Sequence, residues 1–152
     1  MKYSEKNWRT SIQELKTFTK KFVMDYYMGK TVTGGFDAVI SRVTDMLKEE
    51  GFGILTEINV QETLKKKLDV DFKKYKILGA CNPHFAYKAF QAEDKIGAIL
   101  PCNVVVIEQG DDTIEVAFMD PMEMMDRIEN PKLKSIAADV KTVLEKVMNK
   151  LD

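Results

Sequence analysis

The sequence lacks most of the features that would assign a function at sight. It has no excess of either charge: 23 basic and 24 acidic residues leave a net charge of -1. Nucleic-acid binding proteins usually carry a strong positive balance, so that class is not expected. The basic clusters Lys20-Lys21 and Lys65-Lys66-Lys67 sit on helical stretches opposite apolar residues and read as solvated faces. There is no long hydrophobic run. The longest nearly apolar stretch, Ile96 to Ile107, is interrupted by Gly97, Pro101 and Asn103 and is about half the length of a bilayer crossing. No membrane partner is expected. Met1 to Thr19 has neither the apolar centre nor the small-residue cleavage site of a signal peptide, which makes the cytoplasm the expected setting.

Cysteine and histidine are scarce as well. Two cysteines, Cys81 and Cys102, cannot build a disulfide framework. They lie twenty-one positions apart with no Cys-x-x-Cys pair, so no metal ligand set and no cofactor is read from spacing. The only histidine is His84, and no Gly-x-Ser-x-Gly nucleophile turn accompanies it. Gly29-Lys30-Thr31 resembles the end of a phosphate loop, but Met24 stands where the first glycine belongs and Gly34-Gly35 interrupts the helix that should follow. The paired acids Glu49-Glu50 and Asp111-Asp112 fall at a helix end and a hairpin tip, which does not suit a two-carboxylate glycosidase.

What remains describes one folded domain. The chain has 152 residues, 45% of them apolar and 31% charged, enough for a single core. Trp8, Ile12, Leu15, Phe18 and Phe22 recur at helical spacing, predicting an amphipathic helix over 4–22. A strand is expected near Asp25–Val32. Phe36, Val39, Ile40, Val43, Met46 and Leu47 then mark a long helix closed by Gly51. Phe52–Asn59 reads as a strand with Phe52, Ile54, Thr56 and Ile58 on one face. Asn59 and Glu62 form a capping box for a short helix to Leu68. A further strand is expected at Lys74–Ala80, and a hairpin joins Cys102–Glu108 to Thr113–Met119 through Gly110-Asp111-Asp112. Three Asx-Pro pairs, Asn82-Pro83, Asp120-Pro121 and Asn130-Pro131, each start a helix: the side chain accepts free first-turn amides, and proline at the first helical position loses no hydrogen bond. The only boundary falls near Met24, dividing a 1–23 helical extension from a 24–152 core.

Val104 and Val106 lie on one face of their strand, Val105 and Ile107 on the other. Such a strand needs cover on both sides. Two long helices supply one side. The other calls for the N-terminal helix, a second copy of the chain, or both, and a homodimer is the expectation.

Three segments in order, Gly51-Phe52-Gly53-Ile54-Leu55-Thr56-Glu57-Ile58, Leu78-Gly79-Ala80-Cys81-Asn82-Pro83 and Leu100-Pro101-Cys102-Asn103-Val104-Val105-Val106, resemble domain-of-unknown-function family 302, the TT1751-like proteins. The resemblance runs from about Tyr26 to Leu151. Asn59 stands where that family usually has aspartate and Asp69 where it usually has glycine. The resemblance implies an α+β fold with a β-α-β-β-β-β-α core of TBP-like type: a mostly antiparallel sheet, two long helices on one face, and here an extra N-terminal helix. It implies dimerisation and no established activity. If the middle strands form an antiparallel meander, Cys81, Asn82, His84, Cys102 and Asn103 are expected to meet at one end of the sheet, with Glu57 from the neighbouring strand.

Three functions fit that expectation. One is a small dimeric binding or sensory module holding an unknown small molecule at this polar end, or in a groove between sheet and helices. A second is a thiol enzyme or redox protein in which Cys81, activated by the helix that follows it, is the reactive thiolate and Cys102 its partner. The third is a soft-metal site built from Cys81, Cys102 and His84. Against all three stands plain packing, since free cysteine is often a buried small residue. A methionine group (Met119, Met122, Met124, Met125) reads either as core filling or as an adaptable binding surface.

Overall fold

The computed structural model describes residues 25–152; the expected helix over 4–22, and with it the 1–23 extension, lies outside the described residues. The chain forms β1 (Tyr27–Thr33), α1 (Phe36–Glu49), β2 (Gly53–Asn59), α2 (Val60–Leu68), β3 (Tyr75–Cys81), α3 (Pro83–Ala92), β4 (Cys102–Gly110), β5 (Thr113–Met119), α4 (Pro121–Met125) and α5 (Pro131–Lys150), with a 3-10 turn at Ile96–Ile99. Setting aside the shorter inserts α2, α3 and α4, this is the expected β-α-β-β-β-β-α order. Gly29-Lys30-Thr31 lies inside β1, which removes any phosphate-loop reading.

The five strands form one sheet in the order β1-β5-β4-β3-β2, and every neighbouring pair is antiparallel. Strands β2 to β5 are a meander. The first strand returns to pair with β5 at the far edge, so α1 must cross the sheet to reach β2. It does so with Val39, Val43 and Leu47 buried. The other long helix, α5, buries Leu133, Ala137, Val140, Leu144 and Val147, which are spaced three to four apart. Together they cover one sheet face, where Leu78, Val104, Val106, Val116 and Phe118 are fully buried. Each such side chain contributes about 1.5–3 kcal/mol. A second apolar cluster joins Ala89 of α3, Ile96, Met125 of α4, and Leu133 and Ala137 of α5.

Local chemistry sets the element ends. Gly51 adopts φ 84° after α1, its N–H donating to Lys48 while Phe52 N–H donates to Leu47. This is a Schellman closure, and its apolar contact is made by two buried residues, Leu47 and Phe52. All three Asx-Pro pairs act as read: Asn82, Asp120 and Asn130 each accept first-turn amides of the helix that follows. Asn59 accepts from Glu62 N–H at 3.1 Å. Asp69 closes α2 at φ 53°, a left-handed position that accounts for glycine being usual there.

The β2 strand departs from the expected alternation. Its register against β3 shifts between Ile54 and Thr56, leaving Leu55 as the extra, exposed residue of a bulge. Ile54 packs on the core, but Thr56 and Ile58 pair with Gly79 and Ile77, on the opposite face. One inserted residue reverses the phase of every side chain beyond it.

Candidate functional site

The antiparallel meander brings Cys81 and Cys102 to the same end of the sheet, for Cys102 pairs with Ala80, the residue before Cys81. Both cysteines and Asn82 line one void together with Phe52, Phe85, Pro101 and Val140. The lining is apolar, and the space is about 30 Å³, room for about one water and no metabolite. Cys102 is buried and Cys81 half-buried, and both are free thiols. Burial pushes the Cys81 thiol up, and burial plus the neighbouring Cys81 pushes Cys102 up to about 11. The helix that starts after Cys81 was expected to favour thiolate. Desolvation wins, and both sulfurs are protonated at neutral pH.

The other expected members add no free polar group to this void. Asn82 has its side-chain oxygen committed to the cap of α3, accepting from His84 N–H at 3.0 Å and Phe85 N–H at 3.4 Å. His84 is exposed on the first turn of α3. Asn103 follows Cys102 on β4 and therefore points from the opposite face of the sheet. Glu57 lies on exposed β2, paired with Lys76 at 3.6 Å. The single polar end expected from the sequence is thus corrected: Cys81, Asn82 and Cys102 do meet there, but around an apolar void, while Asn103 points from the other sheet face and Glu57 and His84 are exposed. Among the described residues no three His, Cys, Asp or Glu side chains are grouped closely enough to hold a metal ion.

A ligand-sized feature lies elsewhere. On the sheet face away from α1 and α5, a groove of about 400 Å³ is lined by Tyr26, Tyr27, Tyr75, Asn103, Glu115 and an apolar floor that includes Val105 and Ile107. Only Met124, from α4, belongs to a helix. Pairing explains the composition: Tyr75 sits opposite Ile107, Glu115 is also opposite Ile107, and Tyr27 is opposite Met119, so alternate residues of four adjacent strands face one side. Tyr26 and Tyr27 meet edge to face with centroids 5.1 Å apart. The Tyr75 phenol is pushed up by burial, and next by its closeness to Tyr26 and Glu115. It remains a neutral hydrogen-bond donor at physiological pH. Glu115 is held by Gln109, whose Nε2 donates to it at 2.6 Å while its Oε1 accepts from Lys73.

Among the described residues no cationic side chain lines this groove, whereas one carboxylate and three phenols do. Tyrosine faces, an acidic group and methionine sulfur (Met119, Met124) suit a cation with an apolar body. Of the sequence-derived candidates Asn103 belongs here, together with Met119 and Met124 of the methionine group. The remaining members are spread over four strands; the one sequence signal was β4, apolar on both faces.

A family model described as a domain of unknown function, DUF302, matches residues 28–151. The crystal structure of an uncharacterized conserved DUF302 protein from Bacillus stearothermophilus is similar with a TM-score of 0.78 and 31% sequence identity, over 85% of this chain and 100% of that one. No curated protein matches.

Proposed function

For a chain that belongs to DUF302, a family with no assigned activity to pass on, we propose a non-catalytic binding module that takes a small organic cation in the open-face groove. The observation that carries this reading is the groove's lining: three tyrosines and Glu115 around an apolar floor, with no cationic side chain among the described residues. A quaternary or alkylated ammonium is attracted to tyrosine faces by about 0.5–2 kcal/mol per ring, and Glu115 adds a charge of the right sign. Asn103 and the Tyr75 hydroxyl supply oriented donors for a polar tail. Thiol chemistry gains no support, since both sulfurs are held protonated in an apolar setting. A cytoplasmic location is part of the same reading, in keeping with two free thiols. No described helix is long and apolar enough to cross a membrane.

Thermal denaturation of the full chain with organic cations, each paired with a neutral molecule of the same shape, tests the proposal. A ligand present at a hundred times its dissociation constant stabilises by about 2.7 kcal/mol. Cations are expected to raise the midpoint and their neutral counterparts to leave it unchanged. Equal effects from both, or stabilisation that survives Glu115→Gln and Tyr75→Leu together, would remove the reading.

A further inference from the structure

We propose that the end of α2 and the loop leading to β3, residues 65–74, form a docking surface for an anionic lipid bilayer. Every residue from Lys65 to Lys74 is exposed, and no other stretch of the described residues approaches that length. Three of the ten are large and apolar: Leu68 is 66% exposed, Val70 43% and Phe72 41%. Five are lysines and two are aspartates, so the segment carries net +3 in a chain of net -1. Lys65-Lys66-Lys67 does lie on a helix, but α2 has no fully buried residue behind it.

The loop is tied down in a way that keeps these apolar side chains in water. Asp69 turns the chain at φ 53°, its N–H donating to the Lys65 carbonyl at 3.0 Å. Gln61 Nε2 donates to the Phe72 carbonyl at 2.9 Å, fastening the loop to the first turn of α2. The Phe72 ring rests beside Tyr75 with centroids 6.3 Å apart. Lys65 Nζ bridges Asp69 and Asp71 at 2.9 and 3.1 Å, which offsets both acids. Lys66, Lys67, Lys73 and Lys74 have no carboxylate partner among the described residues.

Charge and shape select the occupant. Anionic headgroups attract clustered lysines to a bilayer surface, and the boundary between headgroups and acyl chains admits leucine, valine and phenylalanine. A second copy of the chain would set this surface against itself in a two-fold contact, bringing +3 against +3. Nucleic acid would engage the lysines through phosphate but leave Leu68 and Val70 in water, with Phe72 alone to stack on. None of the ten residues lines the groove or the void; the surface stands out from the fold and suits a flat, yielding partner. The lack of a bilayer-spanning stretch, which set aside a membrane partner, has no bearing on docking of this kind. The surface is separate from the cation groove, and its test uses no small ligand.

Co-sedimentation of the full chain with vesicles tests the proposal, using phosphatidylcholine alone and phosphatidylcholine mixed with phosphatidylserine. The mixed vesicles are expected to carry the protein down, less so as salt is added, and the neutral ones to leave it in solution. Lys66→Gln together with Lys67→Gln should weaken binding about twenty-fivefold, about fivefold for each lysine removed. Phe72→Ser should weaken it about tenfold. All three side chains are exposed, so the fold is expected to survive these changes. Failure to bind mixed vesicles in low salt would overturn the proposal, as would equal binding to both kinds of vesicle. Binding that ignores the substitutions would place the contact elsewhere on the chain and overturn it too. Equally tight binding to single-stranded RNA, lost in the lysine variant but kept in Phe72→Ser, would make nucleic acid the partner instead.

Discussion

Asp120 and Lys141 form an ion pair, Nζ to Oδ2 at 2.6 Å, in which the carboxylate is almost wholly buried and the ammonium about one-third exposed. The other oxygen of Asp120 caps α4, accepting from Met122 N–H at 2.9 Å, and its backbone N–H donates to Tyr26. One residue thereby fastens the end of β5, the entry to β1, α4 and α5. The hydrogen bond from Lys141 is also the main cause that pushes the lysine's pKa up. Asp120→Ala removes cap and charge together and is expected to cost about 3 kcal/mol. Asp120→Asn keeps the cap and frees a lysine that can turn to water, so about half that loss is expected. Chemical denaturation of the two variants checks the order; no loss in Asp120→Asn would mean that the ion pair contributes nothing, and equal losses would mean that the cap contributes nothing.

The Cys102 thiol gives the fold an alkaline limit. Its folded pKa of about 11 lies above the ordinary thiol value. The unfolded chain therefore loses that proton first as pH rises. Stability from this residue is complete below about pH 9 and declines through pH 11, by on the order of 2 kcal/mol. Cys102→Ala is expected to flatten this part of the curve, at the cost of a small cavity. Denaturation midpoints measured between pH 7 and 11 on both proteins supply the comparison, and an unchanged slope in the variant would exclude Cys102 as the source.

Gly79 and Thr56 face each other across β3 and β2. A methyl at Gly79 would collide with the Thr56 hydroxyl and approach Pro101 Cγ to 2.8 Å. Gly79→Ala should therefore cost about 1–3 kcal/mol. Adding Thr56→Ala removes the nearer obstacle and should recover part of that loss. Losses that simply add would show that the crowding lies elsewhere.

Gly51 is required for a different reason. At φ 84° a side chain is strained, and a Cβ there would meet Asn82 Nδ2 at 2.9 Å, disturbing the residue that caps α3. Gly51→Ala is expected to lose about 1–2 kcal/mol, and a matching Asn82→Ala variant about 1 kcal/mol. Thermal melts of each and of the pair should show coupling, because both act on the same turn.

These features differ in how far the sequence reveals them. Capping is local, so Asn82-Pro83, Asp120-Pro121, Asn130-Pro131 and Asn59 to Glu62 could be read from a few neighbouring residues, as could the Schellman glycine. Long amphipathic helices declare themselves by period, and α1 and α5 did. The Leu55 bulge was hidden because Gly53 to Asn59 alternates plausibly in either phase and only pairing with β3 chooses between them. The ion pair at Asp120 needs the angle at which α5 passes the end of β5. The groove was hardest, since Tyr26, Tyr75, Asn103 and Glu115 are spread over ninety positions and meet only through strand order β1-β5-β4-β3. Cys102 and Asn103, by contrast, were separable in advance: adjacent residues on a strand face opposite ways.

The most direct test of cation binding is a titration of the isotope-labelled full chain with choline and, separately, with its neutral dimethylbutanol isostere, followed by backbone amide shifts. Choline is expected to move the amides of Tyr75, Asn103, Val105, Glu115 and Ala117 while the isostere moves none. Shifts centred on Cys81 to Phe85, equal responses to both molecules, or no response at millimolar choline would contradict it.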